Sequence, residues 1–104
     1  MELQIKCIEN LKKPPNYSTT FQYEEYKILL DYNYDKDECF VKVNNKKIEE
    51  IGFGEQLKTI YEDGSVLEDE RLKNLINGLA NSMVGLTWEG CEVGEELTVN
   101  TDYL

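Results

Sequence analysis

Lys27-Ile-Leu-Leu-Asp-Tyr-Asn-Tyr-Asp-Lys-Asp-Glu-Cys-Phe-Val-Lys-Val43 is the stretch that decides the fold. Ile28, Leu30, Tyr32 and Tyr34 fall on one side of an extended chain, and Cys39, Val41 and Val43 repeat the pattern after a break. Side chains alternate across a strand with period two, so each half is a half-buried strand. Asp35-Lys36-Asp37 supplies the turn, and the whole stretch is an antiparallel hairpin.

The same period extends in both directions. Leu3, Ile5 and Cys7 share a face over residues 2–9, opposed by Glu2, Gln4 and Lys6. Lys12-Lys13-Pro14-Pro15-Asn16 is a loop, because consecutive prolines cannot continue a ladder. Tyr17, Thr19, Phe21 and Tyr23 line one side of a second extended stretch. Asn44-Asn45 suits a two-residue turn, since Asn tolerates positive φ, and it leads into a short strand over Lys46–Ile51. Gly52-Phe53-Gly54 breaks regular structure, and Gln56–Tyr61 fits a helical turn or a strand.

After Tyr61 the period changes to that of a helix. Leu72, Leu75, Ile76, Leu79, Ala80 and Met83 form one apolar stripe at helical spacing. Ser65 and Glu68 match a capping box, and Gly85 stands where a C-terminal cap glycine belongs, which predicts a helix over about 66–84. Its outward face after Lys73 reads Asn74, Asn77, Gly78, Asn81 and Ser82, uncharged and short. Leu86–Val99 reads as two more short strands about Val93-Gly94. The expected fold is α+β: one domain over 1–104, an antiparallel sheet of about five to seven short strands packed by one main helix.

Charge is distributed unevenly. The first 59 residues hold eleven acids and nine bases, whereas residues 60–104 hold ten acids against Arg71 and Lys73. Those ten are Glu62, Asp63, Glu68, Asp69, Glu70, Glu89, Glu92, Glu95, Glu96 and Asp102, so most of the net charge of −10 lies in the C-terminal part. Such a field repels nucleic acid and anionic membranes and steers toward basic protein surfaces. Part of it is ordinary helix chemistry, because Glu68, Asp69 and Glu70 near a helix start favour the dipole. Glu89, Glu92, Glu95, Glu96 and Asp102 have no basic neighbours in sequence, and unpaired like charges cost stability, which suggests a use.

Catalytic chemistry finds little support. The chain has no His, which removes His-based nucleophile systems and His zinc sites. Gly52-Phe53-Gly54 lacks the rest of a phosphate loop, and Glu95-Glu96 reads as solvated surface. No catalytic residue, cofactor or metal is expected. Asp31, Asn33, Asp35 and Asp37 stand at positions 1, 3, 5 and 7 of an EF-hand-like loop, but position 6 is Lys36 and position 12 is Lys42. A charged hairpin turn with at most weak cation binding is the better account. Cys7 and Cys39 sit at apolar strand positions as small core residues, and Cys91 lies among acids; their odd number and wide spacing fit a reduced, cytoplasmic protein. No secretion signal or membrane-spanning stretch is evident.

The abundance of Lys, Asn, Ile, Tyr and Glu, with one Ala and one Arg, suggests an AT-rich coding sequence such as that of a low-GC bacterium or its phage. In size, acidity and this bias the chain is similar in type to phage-encoded anti-restriction and anti-CRISPR proteins and to nuclease immunity proteins, although no motif carries the similarity. The expected function is that of a small acidic inhibitor. It would occlude a basic, nucleic-acid-binding partner by presenting carboxylates where phosphates sit. A non-inhibitory adaptor or structural protein is the alternative, and a weak divalent-ion or small-molecule binder the third.

Overall fold

A computed structural model describes residues 2–52, 58–83, 85–89 and 91–100. Five strands follow one another as hairpins: β1 (Glu2–Lys13), β2 (Asn16–Tyr23), β3 (Tyr26–Asn33), β4 (Glu38–Val43) and β5 (Lys46–Glu50). A two-residue β6 (Ile60–Tyr61), helix α1 (Glu70–Asn81), a π-helical turn (Gly85–Glu89) and β7 (Glu96–Asn100) complete the chain. The seven strands form one antiparallel sheet in the order β6-β5-β4-β3-β2-β1-β7. The first six strands therefore meander across the sheet, and the last returns to the far side of the first.

The alternation in the sequence sets which face is buried. Leu3, Ile5 and Cys7 of β1, Thr19, Phe21 and Tyr23 of β2, Ile28 and Leu30 of β3, Val41 and Val43 of β4 and Ile48 of β5 all turn to one side. The helix stripe Leu72, Leu75, Ile76, Leu79 and Met83 joins them in a single core. The opposite face of the sheet is open. It carries Gln22, Lys27 and Lys42 and the half-buried Leu29 and Phe40, with the Lys42 and Lys47 ammonium groups 5.6 and 5.4 Å from the Phe40 ring.

The turns follow their residues. Asn44 and Asn45 adopt φ of 51° and 69°, the pair of positive values that a two-residue hairpin with native twist requires. The Asn44 side chain also accepts the Lys27 N–H at 2.9 Å, tying the β4–β5 turn to β3. Between Cys7 and Glu9 the register of β1 against β2 shifts, a bulge at Ile8 that resets the alternation. Glu9 and Leu11 thereby stand opposite Thr20 and Ser18, and β1 extends to Lys13, beyond the expected residue 9.

Several expectations need correction. The helix begins at Glu70 rather than near 66, and its N-cap is Asp69, whose Oδ1 accepts the N–H groups of Arg71 at 3.0 Å and Leu72 at 3.2 Å. Ser65 is unavailable as a cap because its N–H and hydroxyl both donate to Asp63, while Val66 bridges to Ile60 as extended chain. The capping residue lies four positions closer to the apolar stripe than the box implied. Asp69→Ala is expected to cost about 1 kcal/mol, read as a lowered midpoint in urea unfolding with unchanged slope.

At its other end α1 stops at Ser82, and Gly85 does not adopt positive φ, so it is no left-handed cap. Gly85–Glu89 forms the π-helical turn where a strand was expected. It is held by the Thr87 hydroxyl donating to the Met83 carbonyl at 2.7 Å, and by the Thr19 hydroxyl donating to the Leu86 carbonyl at 2.8 Å. Asn77, assigned to the outward face, is buried and donates to the Gly52 carbonyl at 2.8 Å.

Cys39 is exposed rather than in the core. It is the second residue of β4, beside the β3–β4 turn, where Tyr34 is also exposed. Cys7 and Cys91 are both buried, and the Cys7 thiol donates to the Cys91 carbonyl at 3.5 Å. Burial pushes both of these thiols up, with Glu95 adding to the effect. In the folded protein one thiol, Cys39, is expected to react promptly with a chromogenic disulfide reagent. The other two should react only at the rate of unfolding, so a Cys39→Ser variant should show no fast phase.

Candidate functional site

The C-terminal acids do not form one face. Glu62 and Asp63 occupy the turn after β6, with Glu68, Asp69 and Glu70 leading into α1. Glu92 and Glu95 lie in the loop before β7, and Glu96 opens that strand. Strands β6 and β7 are the two opposite edges of the sheet. Six strand spacings of about 4.8 Å place the edges roughly 29 Å apart along the sheet, several Debye lengths at physiological salt. Asp102 and the side chain of Glu89 lie outside the described residues.

The cluster at the β6 edge is largely used by the fold. Asp63 pairs with the Lys46 ammonium at 2.6 Å and accepts both groups of Ser65. These partners hold its carboxyl well below the usual carboxylate range. A pKa lower in the folded than in the unfolded chain means the interaction stabilises above the ordinary carboxylate range and is lost as pH falls below it. Lys46 also lies 4.6 Å from the Tyr61 ring, so its charge is shared at this edge. Asp69, the helix cap, is also engaged but lies away from this edge, 3.4 Å from the hydroxyl of Tyr26 on the central strand β3.

At the β7 edge the carboxylates have no such employment. Glu92, Glu95 and Glu96 are exposed, and among the described residues none of them is in an ion pair. Their backbone is nonetheless well anchored: Cys7 N–H donates to the Glu95 carbonyl at 2.9 Å, Gly94 N–H to the Cys7 carbonyl at 2.7 Å, and Glu95 N–H to the Glu92 carbonyl at 3.0 Å. Gly94 takes φ of 95°, which a side chain would resist, and closes this turn. The Asn10 side chain donates to the Cys91 carbonyl at 2.8 Å and fixes the start of the loop. The result is a hydrogen-bonded backbone presenting three exposed carboxylates, with Lys6 across from Glu96 as its cross-strand base.

The remaining sequence candidates are dispersed. Asn33 accepts the Lys36 N–H at 3.0 Å within the β3–β4 turn, and Asp37, at φ of 50°, accepts the Tyr32 hydroxyl at 3.2 Å. Asp31 stands on β3 facing Phe40 of β4, its carboxyl raised by desolvation against the opposing pull of Lys42. Among the described residues no three acids or thiols are grouped as a metal site would require. No helix among them is long and apolar enough to cross a membrane.

One feature escaped sequence reasoning. The π-helical turn carries Trp88 across the ends of β2 and β3, where its ring stands 5.0 Å from Tyr17 and 4.8 Å from Tyr34. Tyr34 and Trp88 are exposed, and with Pro14, Pro15 and Asp35 they line a shallow groove of about 400 Å³. Nothing in the spacing of residues 17, 34 and 88 signals this contact, which exists because the turn bonds to Thr19. Comparison of the chain with family models, curated proteins and solved structures finds no match.

Proposed function

We propose that the chain is a small, non-catalytic acidic protein that binds a basic, nucleic-acid-binding partner and occludes the surface on which that partner holds phosphates. The observation that carries this reading is the set Glu92, Glu95 and Glu96: exposed, unpaired among the described residues, and held on an anchored loop. Carboxylates that neither cap a helix nor close an ion pair cost the fold self-repulsion, and a basic partner relieves that cost. The separation of the two acidic clusters narrows the reading, because a compact basic site meets one edge at a time. The β7 edge is the better candidate, since Asp63 is already engaged at the other and Asp69 caps the helix beside the middle of the sheet.

An affinity capture from lysate with tagged chain tests it. Recovery of one basic protein at low salt, released by added DNA or RNA and by about 1 M salt, supports occlusion, because screening shortens to about 3 Å under those conditions. Recovery of nothing that nucleic acid displaces overturns it. The adaptor alternative has its own supporting observation in the exposed Tyr34–Trp88 surface, since such aromatics are frequent anchors of protein contacts. A captured partner indifferent to salt and nucleic acid, but lost with Trp88→Ala, would favour that alternative.

A further inference from the structure

The two edges of the sheet are finished differently. At one, β6 is two residues long and its turn is clasped by the Lys46–Asp63–Ser65 cluster, which blunts it against further pairing. At the other, β7 runs Glu96-Leu97-Thr98-Val99-Asn100 with no proline and no lysine; a bulge stands only at its entry, where Gly94 and Glu95 both oppose Cys7, and the strand itself lacks the devices that ordinarily protect an edge. Cys7 directs both its backbone groups toward residues 94–95, so by strand alternation Ile5 and Leu3 also face β7, and their partners Leu97 and Val99 face back. Glu96 and Thr98 consequently aim their N–H and C=O groups away from the sheet. Beside this edge, on the helix side, Gly78, Ser82 and Leu86 with the half-buried Leu97 and Val99 line an apolar groove of about 320 Å³. The short residues of α1 noted in the sequence are what leave this space open.

We propose that the outer edge of β7, unpaired among the described residues, is the docking site, and that it accepts an extended segment of the basic partner as an eighth strand. Alternate apolar side chains of the segment would enter the groove against Leu97 and Val99, and a lysine or arginine at its end would meet Glu92, Glu95 and Glu96. Main-chain hydrogen bonds to Glu96 and Thr98 give such a contact its affinity, and the groove and the carboxylates give it selectivity. Charge selects the occupant: two copies at −10 each repel, whereas a cationic strand is attracted to the acidic end of the edge. This rests on the proposed function for the class of partner, while the edge itself is tested separately.

The probe is an acetylated and amidated peptide, Lys-Lys-Val-Thr-Val-Thr-Val-Lys-Lys, titrated into the isotope-labelled chain and followed by amide chemical shifts. Expected are shifts concentrated at Glu96 and Thr98, weakening as salt is raised from about 0.1 M to about 1 M. Thr98→Pro removes an outward N–H at an edge position where proline is tolerated. It is expected to weaken the peptide about tenfold, the effect of one backbone hydrogen bond. Ser82→Phe, which fills the groove without changing charge or edge, should weaken it similarly and covers the case in which the proline variant fails to fold. No shifts, shifts mapping to another surface, or shifts unchanged in both variants would overturn the proposal. So would concentration-dependent self-association abolished by Thr98→Pro, which would give the edge to a second copy. If the wild-type chain captures a nucleic-acid-displaced partner and both variants capture it equally, the edge is wrong and the functional reading stands. If no such partner is captured while the peptide binds as described, the functional reading fails and the edge stands.

Discussion

Phe21→Ala is expected to destabilise the chain by about 3–5 kcal/mol, the range for emptying a fully buried aromatic position. Phe21 is 0% exposed, stands between Cys7 of β1 and Ile28 of β3, and lies in the same core as the helix stripe. Its strand neighbours are held by hydrogen bonds on both sides, so a cavity term is expected alongside the transfer term. At about 4–8 °C per kcal/mol for a domain of this size, the midpoint of thermal unfolding should fall by well over 10 °C. Leu11→Ala provides the contrast: Leu11 is 43% exposed on the open face, and its loss should move the midpoint by no more than a few degrees. Similar melting of the two variants would mean that the core is not organised around the central hairpins.

That contrast also marks where the sequence was informative. The strands were legible because burial on one face imposes period two, and Leu3, Ile5, Cys7, Ile28, Leu30, Val41 and Val43 obey it. The Asn44-Asn45 turn was legible because few residues accept its dihedral angles. The start of the helix was not, since Ser65 and Asp69 are both competent caps and the choice depends on Asp63 and Lys46, contacts distant from the helix pattern. Gly85 failed as a signal for a related reason. The end of α1 is set by the next turn bonding to Thr19 on β2, a long-range contact with no local mark. Cys39 obeyed the alternation yet lies outside the core, because period two reports the face of a strand and not whether that end of the face is covered.

The candidate site was legible in composition and not in arrangement. Ten acids in the last 45 residues are visible at once, but the separation of Glu62 and Asp63 from Glu92, Glu95 and Glu96 follows from β7 returning to β1 rather than continuing past β6. Asn77, read as outward on the helix, is buried, because α1 turns it toward the Gly52 carbonyl. The helix residues that do stay open, Gly78 and Ser82, matter through the groove they leave beside β7.

The division between the edges gives the functional reading its sharpest consequence. Glu92→Lys, Glu95→Lys and Glu96→Lys together change the charge by six units, from −10 to −4, and place the whole change at β7. Glu49→Lys, Glu50→Lys and Glu62→Lys make the same change of six units at the β5–β6 side. If the captured partner docks at β7, the first triple variant is expected to slow association about 10- to 100-fold at about 0.1 M salt, the scale of electrostatic steering. The second should slow it several-fold at most, through the weaker and screened long-range field. Dissociation should change less than association in both, since exposed rim charges act mainly on encounter. At about 1 M salt the two variants and the wild type should converge. Stopped-flow association rates separate the alternatives, because net charge is matched and only its position differs. Equal slowing by both triples would assign the acids to bulk attraction and remove β7 as the place where the partner is met.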